Sequence, residues 1–138
     1  MTAFVQSTLD SHILQLTLNR PEKKNALTQA MYSSLATQIN QANHNDDVHV
    51  ILIDSEGDDF CSGNDIQDFV DHPLTDDSAP VIQFLHALLN AEKPLIAAVK
   101  GMTVGVGVTM LLHCDYVLSD DSAVFSLPFV QLGLCVEA

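Results

Sequence analysis

Three apolar runs too short to make helices constrain this chain more than any other feature of its sequence. Leu14, Leu16 and Leu18 alternate with Gln15 and Thr17, the period-two pattern of a strand with one buried face. Residues 48–53 and 95–99 are continuously apolar or nearly so, and read as strands buried on both faces. The segments between them follow the other period. Thr28 is placed to cap a helix that carries Met31, Leu35, Ile39 and Ala42 along one side. Ile82, Leu85 and Leu89 space a second helix ending near Asn90, and residues 105–113 predict a third. A fourth strand is expected at 116–118, after which Asp120-Asp121 turns the chain into Val124-Phe125. Strands alternating with helices in this way predict an α/β layer architecture.

The connections are polar and well marked. Arg20-Pro21 ends the first strand and opens a charged loop over 22–25, and residues 43–47 and 55–59 supply two more. Residues 71–80, with two prolines and several aspartates, read as a mobile surface loop. No repeat or low-complexity tract interrupts the pattern, and 138 residues suit one core. The chain stops straight after an apolar run, which suggests a piece of a longer domain.

Charge narrows the partners. Eighteen acids against five Lys and Arg give a formal net charge of −13, which repels nucleic acid and anionic membrane surfaces. The same field repels a phosphorylated ligand unless the few cations sit where its phosphates go, which singles out Lys23, Lys24, Lys93 and Lys100. Cys61, Cys114 and Cys135 are odd in number, lack CxxC spacing and lie in apolar stretches, so they read as buried thiols of a reducing compartment. The six histidines show neither HxxxH nor HExxH spacing, so no metal site is expected. The start of the chain lacks a secretory pattern and no run is long enough to span a bilayer, so a soluble, cytoplasmic protein is expected.

Two segments carry chemistry. Phe60-Cys61-Ser62-Gly63-Asn64-Asp65 follows a buried strand, and the run from Lys93 through Gly101 continues into Gly105-Val106-Gly107. Each places small residues where a strand gives way to a turn, so that backbone N–H groups can face a ligand; in the second, a helix dipole would add to the effect. Two such N–H groups facing one another would form an oxyanion hole. Taken alone, each segment is more readily explained by packing. Their occurrence together with residues 125–129 and Leu132-Gly133-Leu134 is what makes a site the better reading.

Read in order, these segments resemble the crotonase superfamily of enoyl-CoA hydratases and isomerases. Leu18-Asn19-Arg20-Pro21 with Asn25-Ala26-Leu27, the Phe60–Asp65 element, the Lys-Pro-x-Ile-Ala-Ala-Val strand, Cys114-Asp115 and the Phe-x-x-Pro segment all match its pattern. The resemblance implies a crotonase-like spiral of ββα units, with residues 1–138 forming the N-terminal part of a single domain. Members run to about twice this length; the remaining half completes the spiral and supplies helices for a homotrimer or dimer of trimers. The implied substrate is an acyl-CoA, with CoA as part of the substrate and no separate cofactor. The implied oxyanion donors are the N–H groups of Asn64 and Val106.

Within that family, the two hydratase glutamate positions fall on Thr109 and Phe129, neither of which does acid–base work. Leu132-Gly133-x-x-x-Glu137, Pro128-Phe129 and the apolar Val106 are similar instead to the monofunctional Δ3,Δ2-enoyl-CoA isomerases. That resemblance implies Glu137 as a single proton shuttle. It also implies CoA contacts through Lys23, Lys24, Ala26, Asp65 and Ile66; Phe69 and Phe84 are candidates for the wall of an acyl tunnel, with plain core the commoner role for each. The alternatives are another acyl-CoA enzyme of the same fold, hydratase or thioesterase, and a non-catalytic acyl-CoA-binding module.

Overall fold

The computed structural model describes residues 3–73 and 76–136. Its main sheet has five strands in the order β1-β2-β3-β4-β6: β1 (Val5–Asp10), β2 (Ile13–Leu18), β3 (Val50–Ser55), β4 (Leu95–Val99) and β6 (Tyr116–Ser119). Only β1 and β2 are antiparallel, joined through Ser11 and His12, both at positive φ, as a two-residue hairpin requires. The other neighbours are parallel. A second sheet pairs β5 (Met102–Val104) with β7 (Val124–Ser126) in parallel. The helices are α1 (Gln29–Asn43), α2 (Ile66–Asp71), α3 (Pro80–Leu89) and α4 (Val106–Thr109).

The core lies between the main sheet and the α1–α3 pair. Leu14, Leu16 and Leu18 of β2, Ile51 and Ile53 of β3, and Leu95 and Ala97 of β4 face it. From α1 come Met31, Leu35, Ile39 and Ala42, as the spacing predicts, and Thr28 accepts a hydrogen bond from the Met31 N–H as the N-cap. The expectation that residues 48–53 are buried on both faces holds for one: Ile51, Ile53 and Ser55 are buried, while Val50, Leu52 and Asp54 are half-covered. The Asp54 carboxylate uses that second face to accept from Gln15 and Thr17 of β2.

Three expectations need correction. The buried side of α3 is Val81, Phe84, Ala87 and Leu88; Ile82 and Leu85 are half-buried and Leu89 is exposed. Apolar residues cover more than one side of this helix, with Gln83 and His86 on the exposed side, so both sets satisfy helical spacing; the ring of Phe84, packed on Tyr32 at 5.4 Å, lies in the fully buried set. The helix predicted over 105–113 is a single turn, α4, that tightens into a 3-10 turn over Met110–His113. Cys135 is exposed rather than buried, whereas Cys61 is buried and Cys114 partly so. Of the loop expected at 71–80, Asp71 closes α2 and Pro80 opens α3; residues 74–75 lie outside the described residues. Among the described residues, no helix is long and apolar enough to cross a membrane.

Candidate functional site

Chain crossings bring the two singled-out segments together. Cys61 bridges Thr103 of β5: the Cys61 N–H donates to the Met102 carbonyl and the Val104 N–H to the Cys61 carbonyl, at 3.1 and 2.8 Å. Leu27 bridges Asn64 from the other side, its N–H donating to the Gly63 carbonyl at 2.8 Å while its carbonyl accepts from Asp65 at 2.9 Å. The backbones at Gly63 and Gly105 nearly touch, since a Cβ on Gly105 would lie 4.0 Å from the Gly63 Cα.

These hydrogen bonds fix where two N–H groups point. In a trans peptide the C=O and N–H are antiparallel. The Gly63 carbonyl is held by Leu27, so the N–H of Asn64 faces away from Leu27, toward the β5 and α4 side. The Gly105 carbonyl accepts from Val108 and Thr109 at 2.9 and 3.0 Å. The Val106 N–H, first of its helix, therefore projects out of the helix start, where it has no intrahelical acceptor. Both residues line one pocket of about 610 Å³. Because α4 has four residues, a long helix dipole adds little here; the directed N–H groups are what the arrangement offers.

Apart from Ser62 and Asn64, the described lining of that pocket carries no hydroxyl, amide or charged side chain. Val104, Val106, Phe129, Leu132 and Leu134 form its walls, with Ile66 and Phe69 of α2 at one side and Cys135 at the rim. No acidic residue is among the described lining. Phe129, at one of the two hydratase glutamate positions, is part of the wall. Thr109, at the other, is fully buried, and its hydroxyl has no hydrogen-bond partner among the described residues. An unpartnered buried hydroxyl costs stability that a methyl does not. Thr109→Val is therefore expected to raise stability by about 1 kcal/mol, read as an upward shift of a few degrees in thermal unfolding. A fall in the transition temperature would show that the hydroxyl is satisfied in solution.

The implied CoA residues divide. Ile66 is exposed on the pocket wall. Lys23 and Lys24 lie on a neighbouring turn that is tied to the pocket by the Ser62 N–H, which donates to the Lys24 carbonyl at 3.0 Å. Lys24 Nζ is 3.8 Å from Asp59, and Lys23 has no ionic partner among the described residues. Ala26 uses its own backbone internally: its N–H donates to Lys23 and its carbonyl accepts from Arg20. The Asp65 carboxylate is likewise occupied, capping α2 through the Asp68 N–H at 3.0 Å and pairing with Arg20 at 2.7 Å. The Asp68 N–H, and after it the Arg20 hydrogen bond, hold its pKa below the usual carboxylate value. Phe84 is core and is not among the described lining of this pocket, while Phe69 is. Glu137 lies outside the described residues.

Burial pushes the Cys61 thiol up to about 12 and leaves no nucleophile there, despite its place beside the pocket. Three residues with structural work escaped the sequence reading. Asn25, fully buried at positive φ, donates to the Glu56 and Asp59 carbonyls and accepts from the Arg20 N–H, clamping two loops. Arg20 ties Ala26 to Asp65. Tyr32 of α1 donates its hydroxyl hydrogen bond to the side-chain carbonyl of Asn64. Only for Tyr32 was there a local signal: it lies at helical spacing from Leu35, Ala36 and Ile39, and a core tyrosine needs a polar partner.

Comparison with known proteins bears on the fold and the family. Residues 8–138 match the family model described as enoyl-CoA hydratase/isomerase. Enoyl-CoA delta isomerase 2 of Rattus norvegicus is 34% identical over 95% of this chain and 35% of its own length. Mevalonyl-coenzyme A hydratase sidH of Aspergillus fumigatus is 35% identical over 92% of this chain and 48% of its own. The structure of Pseudomonas aeruginosa OdaA superposes with a TM-score of 0.94 at 44% identity, covering 99% of this chain and 55% of that one. The chain thus spans about half, or less, of each of these proteins. With the crotonase fold matched over nearly every residue, the chain belongs to the enoyl-CoA hydratase/isomerase family.

Proposed function

We propose that the protein acts as a Δ3,Δ2-enoyl-CoA isomerase on unsaturated fatty acyl-CoA. The observation that carries this reading is the apolar described lining of the pocket into which the Asn64 and Val106 N–H groups are directed. Hydration needs a carboxylate to activate water, and Phe129 stands where one is expected while Thr109 is sealed in the core. Moving a double bond needs one base and no water. In the sequence, Glu137 comes two residues after Cys135 of the pocket lining, and it is the carboxylate this reading assigns to that task.

The reaction would run as follows. The substrate thioester oxygen accepts hydrogen bonds from the two N–H groups, which lowers the cost of charge building on it. The Glu137 carboxylate takes a proton from C2, and the electron pair delocalises into a dienolate across C1 to C4. The same carboxyl returns the proton to C4, restoring the C1 carbonyl and leaving the double bond between C2 and C3. Apolar walls keep water from quenching the dienolate. Lys23 and Lys24 would face the phosphates of CoA, an otherwise repelled anion; a homotrimer or dimer of trimers is the assembly proposed with this reading.

Supplying a 3-enoyl-CoA and a 2-enoyl-CoA side by side tests the assignment. Ultraviolet absorbance of the conjugated thioester is expected to rise with the first and stay constant with the second. Loss of absorbance from the 2-enoyl-CoA would make the protein a hydratase; free CoA released from either would make it a thioesterase.

A further inference from the structure

We propose that Tyr32 is a positioning residue for the oxyanion hole, acting on the substrate carbonyl through Asn64; the inference rests on the oxyanion reading given above. The Asn64 N–H belongs to the peptide that joins it to Gly63, a residue at φ +100° and so the most adaptable point of that turn. Two restraints hold the peptide. One is the Leu27 N–H on the Gly63 carbonyl, which sets the plane of the peptide from its carbonyl end. The other is Tyr32, whose hydroxyl donates to the Asn64 Oδ1 and fixes the direction of the side chain at the N–H end.

Tyr32 is itself well anchored. Its side chain is 2% exposed, its N–H donates to the Thr28 carbonyl at 3.0 Å, and its ring packs on Phe84 between α1 and α3. The phenol is thus a fixed post, placed by the two core helices, that reaches out to the half-buried Asn64 side chain of the pocket turn. With that post removed, the turn keeps its carbonyl restraint and loses its side-chain one, so the Asn64 N–H samples directions away from the substrate oxygen. A misaimed donor loses its contribution steeply as the N–H···O angle falls.

The measurement is the carbonyl stretch of a saturated fatty acyl-CoA, labelled with carbon-13 at the thioester carbonyl, in infrared difference spectra of its complex with the protein. A saturated probe needs no base, so the readout is independent of Glu137. Binding to the wild-type chain is expected to lower the frequency, because two N–H donors polarise the carbonyl. In Tyr32→Phe, which keeps the ring, the lowering is expected to shrink while affinity changes less than about twofold. With a 3-enoyl-CoA, kcat is expected to fall roughly tenfold at nearly constant KM. Asn64→Ala removes the acceptor instead of the donor and is expected to give the same loss, and the double variant no further loss. A lowering in both single variants as large as that in the wild type overturns the role of Tyr32 and leaves the oxyanion hole standing. A wild-type complex with no lowering at all overturns both.

Discussion

Glu137→Gln is expected to abolish most isomerisation of a 3-enoyl-CoA, lowering kcat by on the order of 10²–10⁴-fold. The amide is nearly isosteric but has no basic oxygen to accept the C2 proton, so the step fails while the pocket keeps its shape. Affinity for a saturated acyl-CoA is expected to stay within about twofold, since the N–H donors and the apolar wall are untouched. Steady-state rates from conjugated-thioester absorbance, with calorimetric titration of the saturated ligand, separate the two effects. A variant as active as the wild type would place the base elsewhere. Intact binding without isomerisation in either protein would make the chain a carrier of acyl-CoA rather than a catalyst.

The second large effect is structural. Gly101→Ala is expected to destabilise the chain by about 4 kcal/mol or more, enough to lose the folded state at moderate temperature. Gly101 sits where the chain leaves β4 for β5, at φ +58°, and a Cβ there would lie 2.0 Å from the Asp58 carbonyl oxygen and 2.7 Å from an Asp59 carboxylate oxygen. Neither can give way cheaply. The Phe60 N–H holds the Lys100 carbonyl, the Met102 N–H holds the Asp59 carboxylate, and the Val124 N–H holds the Gly101 carbonyl itself. Thermal unfolding of the variant would show a transition lowered by well over ten degrees, or none. A shift of only a degree or two would mean that the loop and the crossing are further apart than described.

The strands and the first helix were legible because their side chains repeat: Leu14, Leu16 and Leu18 on β2, and Met31 through Ala42 on α1, each mark one buried face. β1 was not, because only Val5 among its residues is buried, and pairing with β2 rather than any pattern of its own makes it a strand. α3 was legible as a helix from Ile82, Leu85 and Leu89, but its fully buried stripe, Val81, Phe84 and Leu88, is a second set at the same spacing. At the site, the small residues at 63 and 105 were visible, but what joins them was not. β5 has three residues, too few for a period, and it is the bridge from Thr103 to Cys61 that closes the pocket. Asn25 shows the converse. Its place in a ligand-contact stretch was read from the linear motif, whereas its side chain is wholly taken up in clamping loops distant in sequence. Cys135 failed for a third reason: an apolar neighbourhood in sequence is not a buried one when the chain runs along a pocket rim.

The two N–H groups at the pocket are aimed by carbonyls that are held elsewhere in the protein, by Leu27 in one case and by Val108 and Thr109 in the other. On the proposed reading, the receptor for negative charge is thus built from main-chain N–H groups, one of them steadied by Tyr32, and the acid–base chemistry from whichever side chains stand around it. Mutation can rewrite the second without disturbing the first. A single substitution at the position of Phe129 could change which bond is made or broken, while the cost of carrying charge on the thioester oxygen stays the same. A scaffold divided in this way can change reaction in small steps, each of which keeps a working intermediate.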